Sequence, residues 1–267
     1  MPLFHLILVA LIQGVTEFLP VSSSGHLILL PNLTGLDDQG QVIDVAVHVG
    51  TLCAVVLYFW SDVRRAAMGL PKVLRGKIDD QNAWLAFCLI IATIPVVIVG
   101  LLLQITGFND ALRSVEVVAW ATLIMAFALY WSDQNGQSIK QAENWSLKDA
   151  AYLGLWQVLA LIPGASRSGV TITGARQLGY VRHDAARIAM LMSIPTILAS
   201  GTLVGAEAAL TMNIAALKDA AIGAIFAFVA ALGALHFMMR LLRSVSFTPY
   251  VIYRVILGTA LLIIAYS

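Results

Sequence analysis

QGVTEFLPVSSSGH, residues 13–26, sets a glutamine, a carboxylate, three serines and a histidine inside an apolar run, and the way it breaks that run decides the fold. The run covers about 3–31 and is interrupted at Pro20 to Gly25. It therefore cannot cross about 30 Å of hydrocarbon as one uninterrupted helix of roughly 17 to 25 residues. A second apolar region, about 150–180, is broken in the same way at Pro163 to Gly169. Each reads as a pair of half-helices that enter the membrane and turn back, since irregular backbone at depth needs protein or a wet cavity to satisfy it. The alternative for each is one kinked spanning helix followed by an amphipathic surface segment.

Outward from these two stretches, uninterrupted apolar runs lie at about 42–60, 84–106, 115–131, 188–206, 219–239 and 249–266, which predicts six spanning helices. The composition agrees: 60% of residues are hydrophobic and 12% charged, against about a quarter charged in a soluble domain. A formal net charge of +1 gives no bias toward nucleic acid. Cys53 and Cys88 fall inside apolar runs and read as packing residues, not as a disulfide framework or a thiolate metal site. The first residues lack a basic region and soon reach Gln13 and Glu17, so a cleaved signal peptide is not expected.

Basic residues near helix ends stay on the cytoplasmic side. Loop 61–83 carries Arg64, Arg65, Lys72, Arg75 and Lys77 and is assigned there. Counting spans from it, 132–149 with Lys140 and Lys148 and 240–248 with Arg240 and Arg243 fall on the same side. Residues 37–41, with Asp37 and Asp38, fall outside. The chain thus orders itself as a broken pair and three spans, twice, and an odd number of spans inverts the second half relative to the first. Gln13 and Ser22-Ser23-Ser24-Gly25 recur as Gln157 and Ser166-Arg167-Ser168-Gly169 at a constant offset of 144 residues. The expected fold is an all-α polytopic membrane protein, six transmembrane helices plus two re-entrant helix pairs in an inverted repeat. Its halves are 1–131 and 132–267 of one membrane domain, with a site near the bilayer midplane.

Gln13 and Glu17 stand four apart, on one helix face, just before the serine turn that ends in His26. PGASRSGVT, residues 163–171, puts Arg167 in a Gly/Ser turn. A carboxylate and an arginine at membrane depth are costly and are expected to face each other or a polar cavity. Each motif also opens a half-helix, whose free N–H groups suit a phosphate-like anion. Arg167 would grip that anion by a planar fork, and Glu17 would hold a divalent cation, Mg or Ca. Ser23 has Glu17 and His26 near it as bases, which makes it a candidate nucleophile, and His26 is another. Ser22, Ser24, Ser166 and Ser168 read equally well as helix N-caps. Thr171, one turn beyond Arg167, reads equally as an anion donor and as a packing residue. His48 and His236 are expected to be packed or hydrogen-bonded, Asp44 and Glu207 to reach the headgroups. Arg254, about 9 Å into the last run, is expected to snorkel to the interface.

The two motifs together resemble the paired signatures of the bacterial undecaprenyl pyrophosphate phosphatase family, the bacitracin-resistance type, and the resemblance covers the whole chain. It implies hydrolysis of undecaprenyl pyrophosphate to the monophosphate, renewing the lipid carrier for peptidoglycan. It further implies a divalent-metal-dependent site open to the periplasm, in a multi-pass protein of the bacterial plasma membrane. The family's functional positions fall on Gln13 and Glu17, on Ser22, Ser23 and His26, and on Ser166, Arg167 and Thr171. Where the family admits Glu or Gln, this chain has Gln13, which weakens a two-carboxylate metal clamp. The other lipid phosphatase superfamily needs a histidine six residues after the Ser-Arg arginine, and Thr173 stands there. A transporter or flippase for a polyprenyl phosphate is the competing function, because inverted repeats with broken helices also build transporters. The expected partners are a polyprenyl pyrophosphate and membrane lipid, with no nucleic acid. The sequence leaves oligomeric state open, a homo-oligomer included.

Overall fold

The computed structural model describes residues 1–35, 39–108, 110–211 and 214–267. Asp37 and Asp38 lie outside the described residues, and the Glu207 side chain lies outside the described side chains. Among the described residues the structure is helical throughout, joined by short turns. Its helices are α1 (Leu3–Thr16), α2 (Ser23–Thr34), α3 (Gln41–Tyr58), α4 (Trp60–Leu74), α5 (Gln81–Thr106), α6 (Val115–Asn135), α7 (Leu147–Val158), α8 (Arg167–Gln177), α9 (Arg182–Thr211), α10 (Ile214–Leu241) and α11 (Thr248–Tyr266).

Six of them are long and apolar enough to cross a membrane: α3, α5, α6, α9 over Arg182–Thr202, α10 over Ala216–Leu241, and α11. All six fall on the predicted apolar runs, and the chain is an all-α polytopic membrane protein. The ends are set by local chemistry. Asp80 caps α5 by accepting from the Ala83 N–H at 2.7 Å, and Ser114 and Ser146 cap α6 and α7 in the same way. Gly107, at φ +69°, ends α5 in the left-handed conformation that glycine adopts freely.

Five helices are too short to span. α4 has 15 residues, α1 has 14, α2 and α7 have 12 each, and α8 has 11. All but α4 form two consecutive pairs, interrupted at the two positions that the prolines and serine turns predict. α1 packs against α10 and α7 against α5, each backbone on backbone. A methyl group on Gly14 would lie 2.6 Å from the Ala227 carbonyl oxygen, and one on Gly154 would lie 2.8 Å from that of Ala92. Glycine is what permits these approaches, as in other membrane helix contacts. α6 pairs with α11, and α3 lies between α10 and α9.

The segment 61–83, expected as a loop, is largely helical. Val63, Ala66, Gly69 and Val73 recur every three or four residues, and that face packs α4 along α5. Periodicity of this kind is drowned at the sequence level by the five basic residues interleaved with it. Cys88 is buried as expected, whereas Cys53 is exposed on α3.

Candidate functional site

Both breaks have one local cause. Pro20 and Pro163 supply no N–H to the helical ladder, and two and three residues later, respectively, Ser22 and Ser166 adopt positive φ, 75° and 68°. These are uncommon values for a residue with a side chain, stored where surrounding contacts overdetermine them. Ser166 Oγ accepts from the Gly169 N–H at 3.2 Å and Ser22 Oγ from the Gly25 N–H at 3.4 Å, so both serines do cap their helices. Each also lies beside the serine two residues on, Ser22 Oγ at 3.1 Å from Ser24 Oγ and Ser166 Oγ at 3.2 Å from Ser168 Oγ. Ser24 and Ser168 then tie the breaks together. Ser24 Oγ accepts from the Gly164 N–H at 3.3 Å, and Ser168 Oγ donates to the Leu19 carbonyl at 2.9 Å.

Within this junction Glu17 is the hub. Its Oε2 accepts from Gln13 Nε2 and from the Ser23 hydroxyl, both at 2.8 Å, and its Oε1 accepts from an Arg167 Nη2–H. Arg167 also donates from Nη1 to the Ser193 carbonyl of α9 at 3.1 Å. Glu17 and Arg167 are 8% and 14% exposed, low enough that a carboxylate and a guanidinium must be paired to be tolerated. They sit at a cavity of about 250 Å³ lined by Ser22, Ser23, Ser24, Ser166, Thr196 and Ser200 as well. Two apolar grooves adjoin it on either side of α9. One, about 360 Å³, lies between α3 and α9 and shares His48, Ile197 and Ser200 with the cavity. The other, about 400 Å³, lies between α5 and α9 and shares Val96, Leu161, Thr196 and Ser200.

Two sequence candidates stand elsewhere. His26 is not among the residues lining the cavity: its Nδ1 bonds the Ser22 carbonyl at 2.7 Å and its Nε2 bonds the Tyr253 hydroxyl at 2.5 Å. The ring stacks on Tyr253 at 5.6 Å. The Thr171 hydroxyl donates backward to the Arg167 and Ser168 carbonyls of its own helix and is buried there. One residue that the sequence reading kept out of the site lines its cavity. His48 lines the cavity with Nε2 3.9 Å from Glu17 Oε2, and it is hydrogen-bonded as expected, its Nδ1 lying 2.7 Å from the Asp44 carbonyl. The signal was present as a polar stripe, Asp44, His48 and Thr51, on an otherwise apolar span. His236 is exposed. Arg254 does not snorkel: it is completely buried, and all its bonds go to backbone carbonyls.

For a divalent cation the donor set is thin. Among the described residues no three His, Cys, Asp or Glu side chains cluster as ligands. What lies near is the Glu17 carboxylate and, behind it, the Gln13 Oε1, a buried oxygen without a hydrogen-bond partner among the described residues. That set fits a hard cation that draws most of its ligands from water and from substrate phosphates, the habit of Mg²⁺, and does not fit an all-protein cage.

The chain matches the family described as bacitracin resistance protein BacA over residues 6–260. It is 67% identical to the undecaprenyl-diphosphatase of Ruegeria pomeroyi, 68% to that of Dinoroseobacter shibae and 63% to that of Jannaschia sp.. Each alignment covers 100% of both chains. With a match of that extent, and the two motifs meeting at one carboxylate, the chain belongs to the bacitracin resistance protein BacA family.

Proposed function

We infer that this chain is an undecaprenyl-diphosphatase, hydrolysing the lipid diphosphate to undecaprenyl phosphate and inorganic phosphate. The observation that carries the site assignment is the Glu17–Arg167 pair. It brings a nucleophile-bearing turn and an anion-binding arginine, distant in sequence, to one polar cavity flanked by apolar grooves. The terminal phosphate would sit at the start of α8, held by Arg167 and the free N–H groups of that helix, with the isoprenoid tail along a groove beside α9.

Ser23 Oγ would attack the terminal phosphorus, pass its proton to Glu17, and displace undecaprenyl phosphate. Water would then hydrolyse the phosphoserine, with Glu17 returning the proton. The 2.8 Å bond from Ser23 to Glu17 supports Ser23 over His26, whose two ring nitrogens are engaged outside the cavity. In the free enzyme Arg167 holds the carboxylate; an incoming phosphate competes for that guanidinium and leaves Glu17 a better base. A divalent cation, held by Glu17 and the Gln13 Oε1, would supply neutralising charge to the diphosphate.

The two halves, 1–131 and 132–267, would be inverted copies with re-entrant pairs. Equivalent serines at 22 and 166 share positive φ and the same cap, and the cross-links from Ser24 and Ser168 are near-reciprocal. The basic loops would place the site toward the periplasm. No observation favours the transporter reading. Reconstitution into vesicles, measuring phosphate release and lipid translocation separately, tests the assignment. Release without translocation is the expected result, and translocation without release would refute it.

A further inference from the structure

Arg254 presents an unusual balance. It lies in α11, is 0% exposed, and forms no ion pair among the described residues. A buried guanidinium without a carboxylate is costly and persists only where other groups satisfy all its donors. Here backbone carbonyls accept from Nε, Nη1 and Nη2. Nε and Nη2 donate to the Thr122 carbonyl of α6 at 3.2 and 3.1 Å, and Nη1 donates to that of Pro20 at 3.3 Å. Nη2 donates also to the Gly164 and Ala165 carbonyls, both at 3.1 Å. Pro20 belongs to the first break, Gly164 and Ala165 to the second.

A trans peptide is planar, with its N–H opposite its C=O. Holding the Ala165 carbonyl on Arg254 therefore turns the Ser166 N–H away from Arg254, at the residue that caps α8 and lines the Glu17 cavity. Holding the Gly164 carbonyl fixes the preceding peptide, whose Ala165 N–H is taken by the Ile162 carbonyl at 3.1 Å. We propose that Arg254 is a positioning residue for the hydrolysis. By gathering carbonyls from both breaks it aims the Ser166 backbone N–H at the phosphate oxygens and fixes Ser23 against that donor. The proposal deepens the site assignment above and rests on it.

Arginine is required because a planar fork reaches several carbonyls at once, which a compact ammonium cannot. Gly169 is part of the device. A methyl group there would lie 2.7 Å from Arg254 Nη1, so the guanidinium passes α8 only where the helix lacks a side chain.

The test uses purified full-length Arg254→Lys and Gly169→Ala, with thermal unfolding in detergent to count folded molecules. Donors aimed at charge that develops in the transition state raise kcat more than they lower KM. For folded Arg254→Lys, kcat should fall about tenfold or more, with KM for a C55 pyrophosphate within about threefold of wild type. Vanadate, which mimics the phosphoryl transition state, should inhibit more weakly by the same factor. A kcat within about threefold of wild type, or a lowered kcat with vanadate inhibition intact, overturns the proposal. If Arg254→Lys does not fold, Gly169→Ala, which displaces Nη1, is judged by the same criteria. Failure of both to fold makes Arg254 a folding residue and also overturns it. An inactive Arg167→Lys beside a normal Arg254→Lys sinks only this proposal, whereas an active Arg167→Lys sinks the site assignment itself.

Discussion

Arg167 and Glu17, 150 residues apart in sequence, meet as an ion pair in which each makes a second commitment. Arg167 also holds the Ser193 carbonyl of α9, and Glu17 also accepts from Ser23 and Gln13. The pair therefore joins both breaks to a spanning helix, and the predictions differ according to which of these bonds a substitution removes.

Glu17 and Gln13 share a helix face but are not equivalent. Glu17→Gln removes the proton acceptor for Ser23, and general-base catalysis contributes about 10² to 10⁴ in rate. Its turnover should fall about a hundredfold or more. Gln13→Glu places a second carboxylate against Glu17, so activity should stay within about tenfold while dependence on divalent cation tightens. Phosphate release across a Mg²⁺ and Ca²⁺ titration reads both. An active Glu17→Gln beside a dead Gln13→Ala reverses the roles.

Ser23 and His26 separate in the same assay. Ser23→Ala should lose about a hundredfold or more in kcat. His26→Gln keeps a polar group near Ser22 and Tyr253 and should lose less than about tenfold. A dead His26→Gln with a robust Ser23→Ala would move the nucleophile to the imidazole.

His48 reaches toward Glu17 from α3, at the mouth of a groove shared with α9. His48→Phe should lower kcat about fivefold, the worth of one modest polar contact of about 1 kcal/mol. Unchanged kinetics would return His48 to a packing role.

Much of this arrangement is visible in the sequence, and what is hidden has a physical reason. The six spans are visible because each is a long apolar run, and the breaks because Pro20, Pro163 and the serine turns interrupt two others. The meeting of Glu17 with Arg167 is implied by the cost of leaving either alone in hydrocarbon. Arg254 is misjudged by depth alone: distance along α11 suggests an escape to the interface, but the guanidinium instead points inward to carbonyls supplied by α6 and both breaks. His26 is the converse case. It sits within the motif, yet its partner is Tyr253, more than two hundred residues away, and nothing local announces that contact. α4 is hidden because its basic residues resemble a cytoplasmic loop until α5 provides the surface for its apolar face.

The orientation is tested by single cysteines in a cysteine-free background. A cysteine at Phe108 should react with an impermeant thiol reagent from outside, and ones at Lys77 and Gln141 only after the cytoplasmic side is opened. External labelling at Lys77 would overturn the assignment of the basic loops.

The central claim is that Arg167 grips the terminal phosphate at a site completed by Glu17 and Ser23, and Arg167→Lys tests it most directly. Lysine keeps the positive charge beside Glu17 but loses the two-pronged hold on an oxyanion. With folded protein and a C55 pyrophosphate, phosphate release should fall by at least about tenfold, equivalent to about 1.4 kcal/mol of transition-state stabilisation. Near-normal release by that variant would contradict the account and remove Arg167 from the phosphate site.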